Sequence, residues 1–326
     1  MRKLAERVRA ELSVCRRKCK MVLREFALIA FTILTQMSVG AFLVLGLVHF
    51  FVARKAGMEQ ADRMSDRALL AIGPVIVLAM IASLFHLGNP INAPRAVTNL
   101  ASSWLSREVF FTVIFVVLGG AFALMQWRKI SSFAVRNAIA WIATLVGLVD
   151  VFSMAQIYML ETQPAWNSWA TPVAFYATAL LLGLLAVGAA LVANYAYVQR
   201  QEPECAEMQC TLLRDTVRWI ALTAVLVLGI ELVVSPIYLA SLSAGDVAAQ
   251  ESARIMVQDY GVLFTLRLIL AFVGAGVFGF FLYQNAMSAG REKMMGNLIY
   301  AAFALVLVAE VLGRFLFYAT QVQIGI

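Results

Sequence analysis

His86 and Glu108 are two side chains whose setting in the sequence suits proton exchange. His86 stands at the end of a strongly apolar segment, a Gly-Asn-Pro turn follows at residues 88–90, and Glu108 opens the next apolar segment directly behind Arg107. Pro90 and Pro94 end the first segment, because proline lacks the amide hydrogen a helix needs and clashes with the preceding turn. The chain is therefore expected to fold back, with both side chains at one depth on adjacent helices. A neutral imidazole near a carboxylate in a low-dielectric pocket accepts or donates a proton near neutral pH. The alternative is an interfacial histidine hydrogen-bonded to its own turn, since buried polar groups usually have structural partners.

Further ionisable and polar groups sit in apolar runs: Glu25 and Gln36, then Glu231 with Tyr238, then Asp259, Tyr260 and Arg267, and finally Glu310 with Arg314. Each charge inside a membrane span costs about 2.5–3.5 kcal/mol on insertion scales, so each marks a candidate functional position. Glu310 and Arg314 lie one helical turn apart on one helical face, where they can pair, and Asp259 with Arg267 is a second pair open to the chain. A purely structural reading stands beside this one, because buried ion pairs can hold helices in register.

The elements that carry these groups follow from composition. Of 326 residues, 62% are hydrophobic and 14% charged, with a mean hydropathy of +0.83. This exceeds what a soluble domain needs. A hydrocarbon core about 30 Å thick takes roughly 20 apolar residues per helix. Runs of that length fall at about 25–52, 68–88, 108–127, 137–160, 172–198, 216–242, 260–284 and 296–320. With no alternating strand pattern, the expected fold is all-α: a polytopic bundle of eight transmembrane helices spanning 25–320, with a basic tail at 1–24 and a short tail at 321–326. Pro90, Pro94, Pro164 and Pro172 are expected in loops. The net charge of +7 is an ordinary membrane-protein excess and indicates no nucleic-acid partner. No secretory signal, extramembrane domain or internal repeat is apparent, which weakens an inverted-repeat transporter reading.

An even number of spans puts both termini on one side, face A. The opposite side, face B, holds most of the loop cations: Arg54, Lys55, Arg63 and Arg67, then Arg128, Lys129 and Arg136, then Arg200, Arg214 and Arg218, then Arg291 and Lys293. Face A loops carry little beyond Arg95, Arg107 and Arg254. Face B is therefore expected to be cytoplasmic, and both termini outer. The nine Lys/Arg of residues 1–24 oppose this, and a start at Met21 would remove the conflict by leaving only Arg24.

Metal chemistry has little to draw on. Cys15, Cys19, Cys205 and Cys210 are spaced unlike a zinc or iron-sulfur site and read as free thiols in loops. His49 and His86 are the only histidines. They fall at opposite ends of spans about 30 Å long, so they cannot ligate one haem. The chain is read as free of haem and of metal.

The run HLGNPINAPRA from His86, followed by SSWLSRE to Glu108, resembles the signature of the membrane-anchor C subunit of anaerobic dimethyl sulfoxide reductases. So do the Glu25–Gln36 spacing, YMLETQPAWNSWATPVAF from Tyr158, DYGVLFTLR from Asp259 and AEVLGRFLFY from Ala309. The likeness runs from about residue 21 to the end; the basic tail departs from it. It implies an anchor in the bacterial inner membrane that oxidises menaquinol and passes electrons to an iron-sulfur subunit paired with a molybdopterin catalytic subunit on the outer face. It also implies quinol binding at His86 and Glu108, and no haem. In the mechanism expected on this basis, His86 holds a quinol oxygen and accepts its proton, and Glu108 takes or relays a proton outward. Gln36 and Glu310 lie nearby, and Arg107, Arg267 and Arg314 stabilise developing negative charge. A proton-coupled transporter, or the anchor of a polysulfide- or tetrathionate-type reductase, are the competing readings.

Overall fold

In hydrocarbon a backbone amide has no partner but another amide, so each long apolar run closes into a helix. The computed structural model describes residues 2–86, 90–201, 206–288 and 290–324, with side chains described for 25–85, 95–201, 207–288 and 290–324. The order is α1 (Arg2–Ala56), α2 (Met58–His86), a 3-10 turn (Pro90–Asn99), α3 (Trp104–Arg128), α4 (Phe133–Tyr158), α5 (Ala170–Gln201) and α6 (Ala206–Ser243). A short α7 (Val247–Arg254) and a π-helical turn (Ile255–Asp259) then lead into α8 (Gly261–Ala271), a second π-helical turn (Phe272–Val277), α9 (Phe278–Ala286) and α10 (Glu292–Ala319). Counting α8 to α9 as one span, and α1 from Glu25, eight helices are long and apolar enough to cross a membrane. No strand occurs among the described residues. The protein is an all-α polytopic membrane protein.

The bundle is organised around α1 and α5, the two most buried spans at 78% and 72% of their apolar windows, against 17–44% for the others. Their contact depends on glycine. A Cβ at Gly40 would lie 1.8 Å from the carbonyl oxygen of Ala179, and one at Gly183 would lie 2.3 Å from the carbonyl carbon of Gly40. Small residues of this kind let membrane helices approach until their backbones touch. Ser103 and Ser132 cap α3 and α4 by accepting from the amides of Ser106 and Val135, which fixes where both helices start.

Two helices begin well before their apolar runs. α2 starts at Met58 and α6 at Ala206, each about ten residues earlier than hydrophobicity alone indicates. The reason is a polar layer at face B in which these turns satisfy one another. Lys129 Nζ donates to Asp62 and Asp66 at 2.7 and 2.8 Å, and Gln126 Nε2 donates to the same two carboxylates, both at 2.8 Å. His49 bonds Asp62 at 2.9 Å, Arg67 donates to Asn194 at 3.0 Å, and Gln209 donates to Gln60 at 2.7 Å. Burial works against the Lys129 ammonium, but its bonds to Asp62 and Asp66 hold it above the ordinary amine value.

Cys210 consequently lies inside α6, not in a loop, and its thiol donates to Glu292 at 3.3 Å. The side chains of Cys15, Cys19 and Cys205 lie outside the described residues. Pro172 also departs from its expected loop: it sits in the first turn of α5, where no amide hydrogen is required. Pro74 and Pro236 are inside α2 and α6.

Candidate functional site

The buried ionisable groups of the face A half fall into two clusters on either side of α10. The first begins at Glu108, one turn inside the N-terminus of α3 and only 7% exposed. A turn deeper, Thr112 donates to the carboxyl group of Asp150 on α4, 3.0 Å from each oxygen, and Asp150 is fully buried. At the C-terminal end of α4, the hydroxyl of Tyr158 meets that of Tyr318 on α10 at 2.8 Å. Tyr158 packs edge-on against Trp166 and Phe317. Glu108 lies within electrostatic reach of Asp150, Tyr158 and Tyr318. Among the described residues it has no ion-pair partner. A buried carboxyl without a cation beside it is placed to exchange a proton more than to hold a fixed charge.

The second cluster is charge-paired. Arg267 on α8 forms an ion pair with Glu231 on α6. Glu310 on α10 is 2% exposed and accepts from the Thr178 hydroxyl at 2.6 Å. These groups border a cavity of about 110 Å³ between α5, α6, α8 and α10. Arg314 joins the two clusters: its Nη2 donates to Gln36 at 2.9 Å, and its guanidinium lies 3.7 Å from the ring centre of Phe175. Cation–π contact of this kind supports a desolvated guanidinium.

Several expected partnerships are rearranged. Glu310 and Arg314 have the right spacing to pair, yet each turns to a different helix, Glu310 to α5 and Arg314 to α1. Arg267 pairs with Glu231 and not with Asp259, whose cation is Arg254 at 3.5 Å. In that surface group Glu251 is held below the usual carboxylate range, first by its hydrogen bond from Arg254. Arg107 stands apart from both clusters. It donates to the carbonyls of Leu100 and Ala101 at 2.8 and 2.7 Å and lies 4.1 Å over the Trp104 ring, so it braces the loop entering α3. His86 ends α2 on the side where α3 begins, and its side chain lies outside the described residues.

Sequence reasoning passed over Asp150, Thr112, Thr178 and Phe175. Only Asp150 left a readable signal, as the one acidic residue in the apolar run 137–160.

A bundle of eight apolar helices with buried carboxyl, guanidinium and phenol groups in its face A half defines a polytopic membrane protein. The chain belongs to the family described as "DMSO reductase anchor subunit (DmsC)", whose model matches residues 20–320. It is 27% identical over 303 residues to the YnfH subunit of an anaerobic dimethyl sulfoxide reductase of Escherichia coli, covering 92% of this sequence and 96% of that protein. It is also 27% identical to the C subunit of the anaerobic dimethyl sulfoxide reductase of Haemophilus influenzae over 304 residues, with 93% and 97% covered. The C subunit of the Escherichia coli enzyme matches at 27% over 306 residues, with 92% and 96% covered. The protein is thus a multi-pass membrane anchor subunit of a dimethyl sulfoxide reductase complex, a component of anaerobic electron transport.

Proposed function

We propose that this anchor oxidises menaquinol in the face A half of the bundle and passes the electrons to an iron-sulfur subunit, which is paired with a molybdopterin catalytic subunit. The observation that carries this reading is Glu108, buried beside Asp150 and the Tyr158–Tyr318 pair and without an ion-pair partner among the described residues. Oxidation of a quinol releases two protons with its two electrons, and a site for it needs groups that take protons in a desolvated setting. Glu108 accepts the proton of one quinol hydroxyl, and His86, at the adjoining end of α2, holds the other hydroxyl and accepts its proton in this scheme. Asp150, fixed through Thr112, provides a second carboxyl behind Glu108. Arg314, fixed by Gln36 and Phe175, presents a constant positive charge to the same region. Arg107 is left out of this scheme, its Nε and Nη2 bonding the loop carbonyls of Leu100 and Ala101. The reading assigns no haem to this chain, in keeping with His49 and His86 lying at opposite faces.

Face A is the outer face in this scheme, in the bacterial inner membrane, with both termini outside. A proton-coupled transporter would gather its ionisable groups at the bilayer midplane around unwound helices. Here Glu108, Asp150, Arg267, Glu310 and Arg314 all lie in the face A half of their helices. The test is quinol-dependent reduction of the terminal acceptor by assembled complex carrying Glu108→Gln or His86→Leu. A fall of at least tenfold with normal partner content is expected, and wild-type rates in both variants would place oxidation elsewhere.

A further inference from the structure

At face B, α1 and α6 each pack on α5 but not closely on one another. The groove between them holds a cavity of about 410 Å³, which Tyr283 of α9 also borders. Its charged groups gather at the outer end: Lys55 in the last turn of α1, and Asp215 and Arg218 in the face B part of α6. Toward the bilayer centre the lining turns apolar, with Phe51 on α1 and Trp219 and Leu222 on α6. Leu222 follows Asp215 by two turns of helix, about 10 Å deeper.

The outer end carries an excess of positive charge. Lys55 forms an ion pair with Asp215, and Arg218 lies 3.9 Å from the other oxygen of the same carboxylate. Two cations therefore share one carboxylate, the only acidic side chain among the described lining residues. Arg218 Nε is buried and has no hydrogen-bond partner among the described residues, while the guanidinium carbon stands 5.6 Å from the ring centre of Tyr283. Buried donors are seldom left this way. Phe51 and Trp219 are 63% and 69% exposed, on helices that cross the membrane, so the groove opens to lipid. A ligand that completes it has one negative charge and oxygen acceptors at the outer end, and an apolar body that runs inward.

We infer that the groove between α1 and α6 binds an anionic glycerophospholipid, its phosphodiester held by Lys55 and Arg218 and an acyl chain laid along Phe51, Trp219 and Leu222. Basic pockets between transmembrane helices take phospholipid head groups in this manner. A zwitterionic lipid fits less well, because its ammonium would compete for an Asp215 carboxylate that already faces two cations. The site is remote from face A and does not depend on where quinol is oxidised.

The intact purified complex is placed in bilayer discs of phosphatidylethanolamine with a minor fraction of phosphatidylglycerol, each lipid in turn carrying a photoreactive group on its acyl chain. Cross-links are mapped by mass spectrometry. The phosphatidylglycerol probe is expected to label residues 51–55 and 212–222 several-fold more than the phosphatidylethanolamine probe. Lys55→Gln and Arg218→Gln should each lower that label about fivefold, as loss of one cation near a lipid surface does. Arg54→Gln should leave it unchanged, since Arg54 stacks on Phe50 outside the groove. Excess inorganic phosphate should not displace the probe, having no chain to fill the inner end. Equal labelling by the two lipids overturns the inference, and this comparison uses the unaltered protein, so it holds even where a variant fails to assemble. An equal loss with Arg54→Gln reduces the effect to the general charge of face B, and displacement by inorganic phosphate assigns the outer end to a soluble anion; either result also overturns it.

Discussion

The side chain of Arg267 lies against the backbone of α10 at Gly313, where a Cβ would stand 2.4 Å from Nε and 2.9 Å from Cζ. Alanine is favoured over glycine in a helix by roughly 0.5–1 kcal/mol, so Gly313→Ala would stabilise an unencumbered helix. Here it must displace Arg267 and leave Glu231 buried without its cation. Losing one member of a buried pair costs about 3–5 kcal/mol. The variant is therefore expected to lower the thermal midpoint of the complex, and Glu231→Gln in the same background should recover much of the loss by removing the unpaired charge. Denaturation scans of the two variants check both signs.

Gly40→Ala is expected to be more damaging than Gly313→Ala. Its Cβ would meet a backbone oxygen at 1.8 Å, and no side-chain rotation relieves that contact. The central helices α1 and α5 must move apart, at a cost above the roughly 1–3 kcal/mol usual for an overpacked core. The measurable outcome is failure of the protein to accumulate in the membrane, and Gly183→Ala should reproduce it from the other side.

Asp150 separates structure from function. Asp150→Asn keeps a carbonyl oxygen to accept from Thr112 and nearly the same volume, so stability should change by less than about 1 kcal/mol. Its proton-exchanging group is gone, and under the proposed reading quinol-dependent turnover falls. Thr112→Val removes the only hydrogen-bond donor to Asp150 among the described residues and is expected to cost about 1–3 kcal/mol. Comparing midpoints with turnover rates for the two variants decides whether Asp150 does more than hold α3 to α4.

The Lys129 link between α2 and α3 has a defined pH signature. Because its folded value is raised, the stabilisation is fully present below the unfolded amine value, about 10.4, and is lost as pH rises through the higher folded value. Lys129→Met should therefore lower the midpoint by a constant amount from about pH 6 to 9, with the difference shrinking only at strongly alkaline pH. With the side chain 45% exposed, the effect should stay near 1 kcal/mol or less.

Hydrophobic runs locate the eight spans because each closes its own hydrogen bonds within the membrane. The early starts of α2 and α6 are hidden, since residues such as Asp62, Asp66 and Gln209 look like loop residues until Lys129, Gln126 and Gln60 are seen beside them. Depth along the bilayer is also legible, because position within an apolar run places Glu108, Gln36, Glu310 and Arg314 toward one face. Sideways neighbours are not. Spacing within a helix pairs Glu310 with Arg314, but Thr178 and Gln36 on other helices compete successfully, and nothing local in the sequence announces them. The partners of Arg107 are equally unannounced, being the carbonyls of its own loop.

The π-helical turn at Phe272–Val277 works as a phase shifter in the seventh span. Each residue in an α-helix advances the azimuth by about 100°, and a π-turn absorbs a surplus residue without breaking the rod. Deleting one residue within that turn would regularise the segment and swing Arg267 by roughly that angle with respect to α9, carrying its charge away from Glu231. The orientation of a guanidinium in one leaflet is thus set by a winding defect several residues further along the sequence.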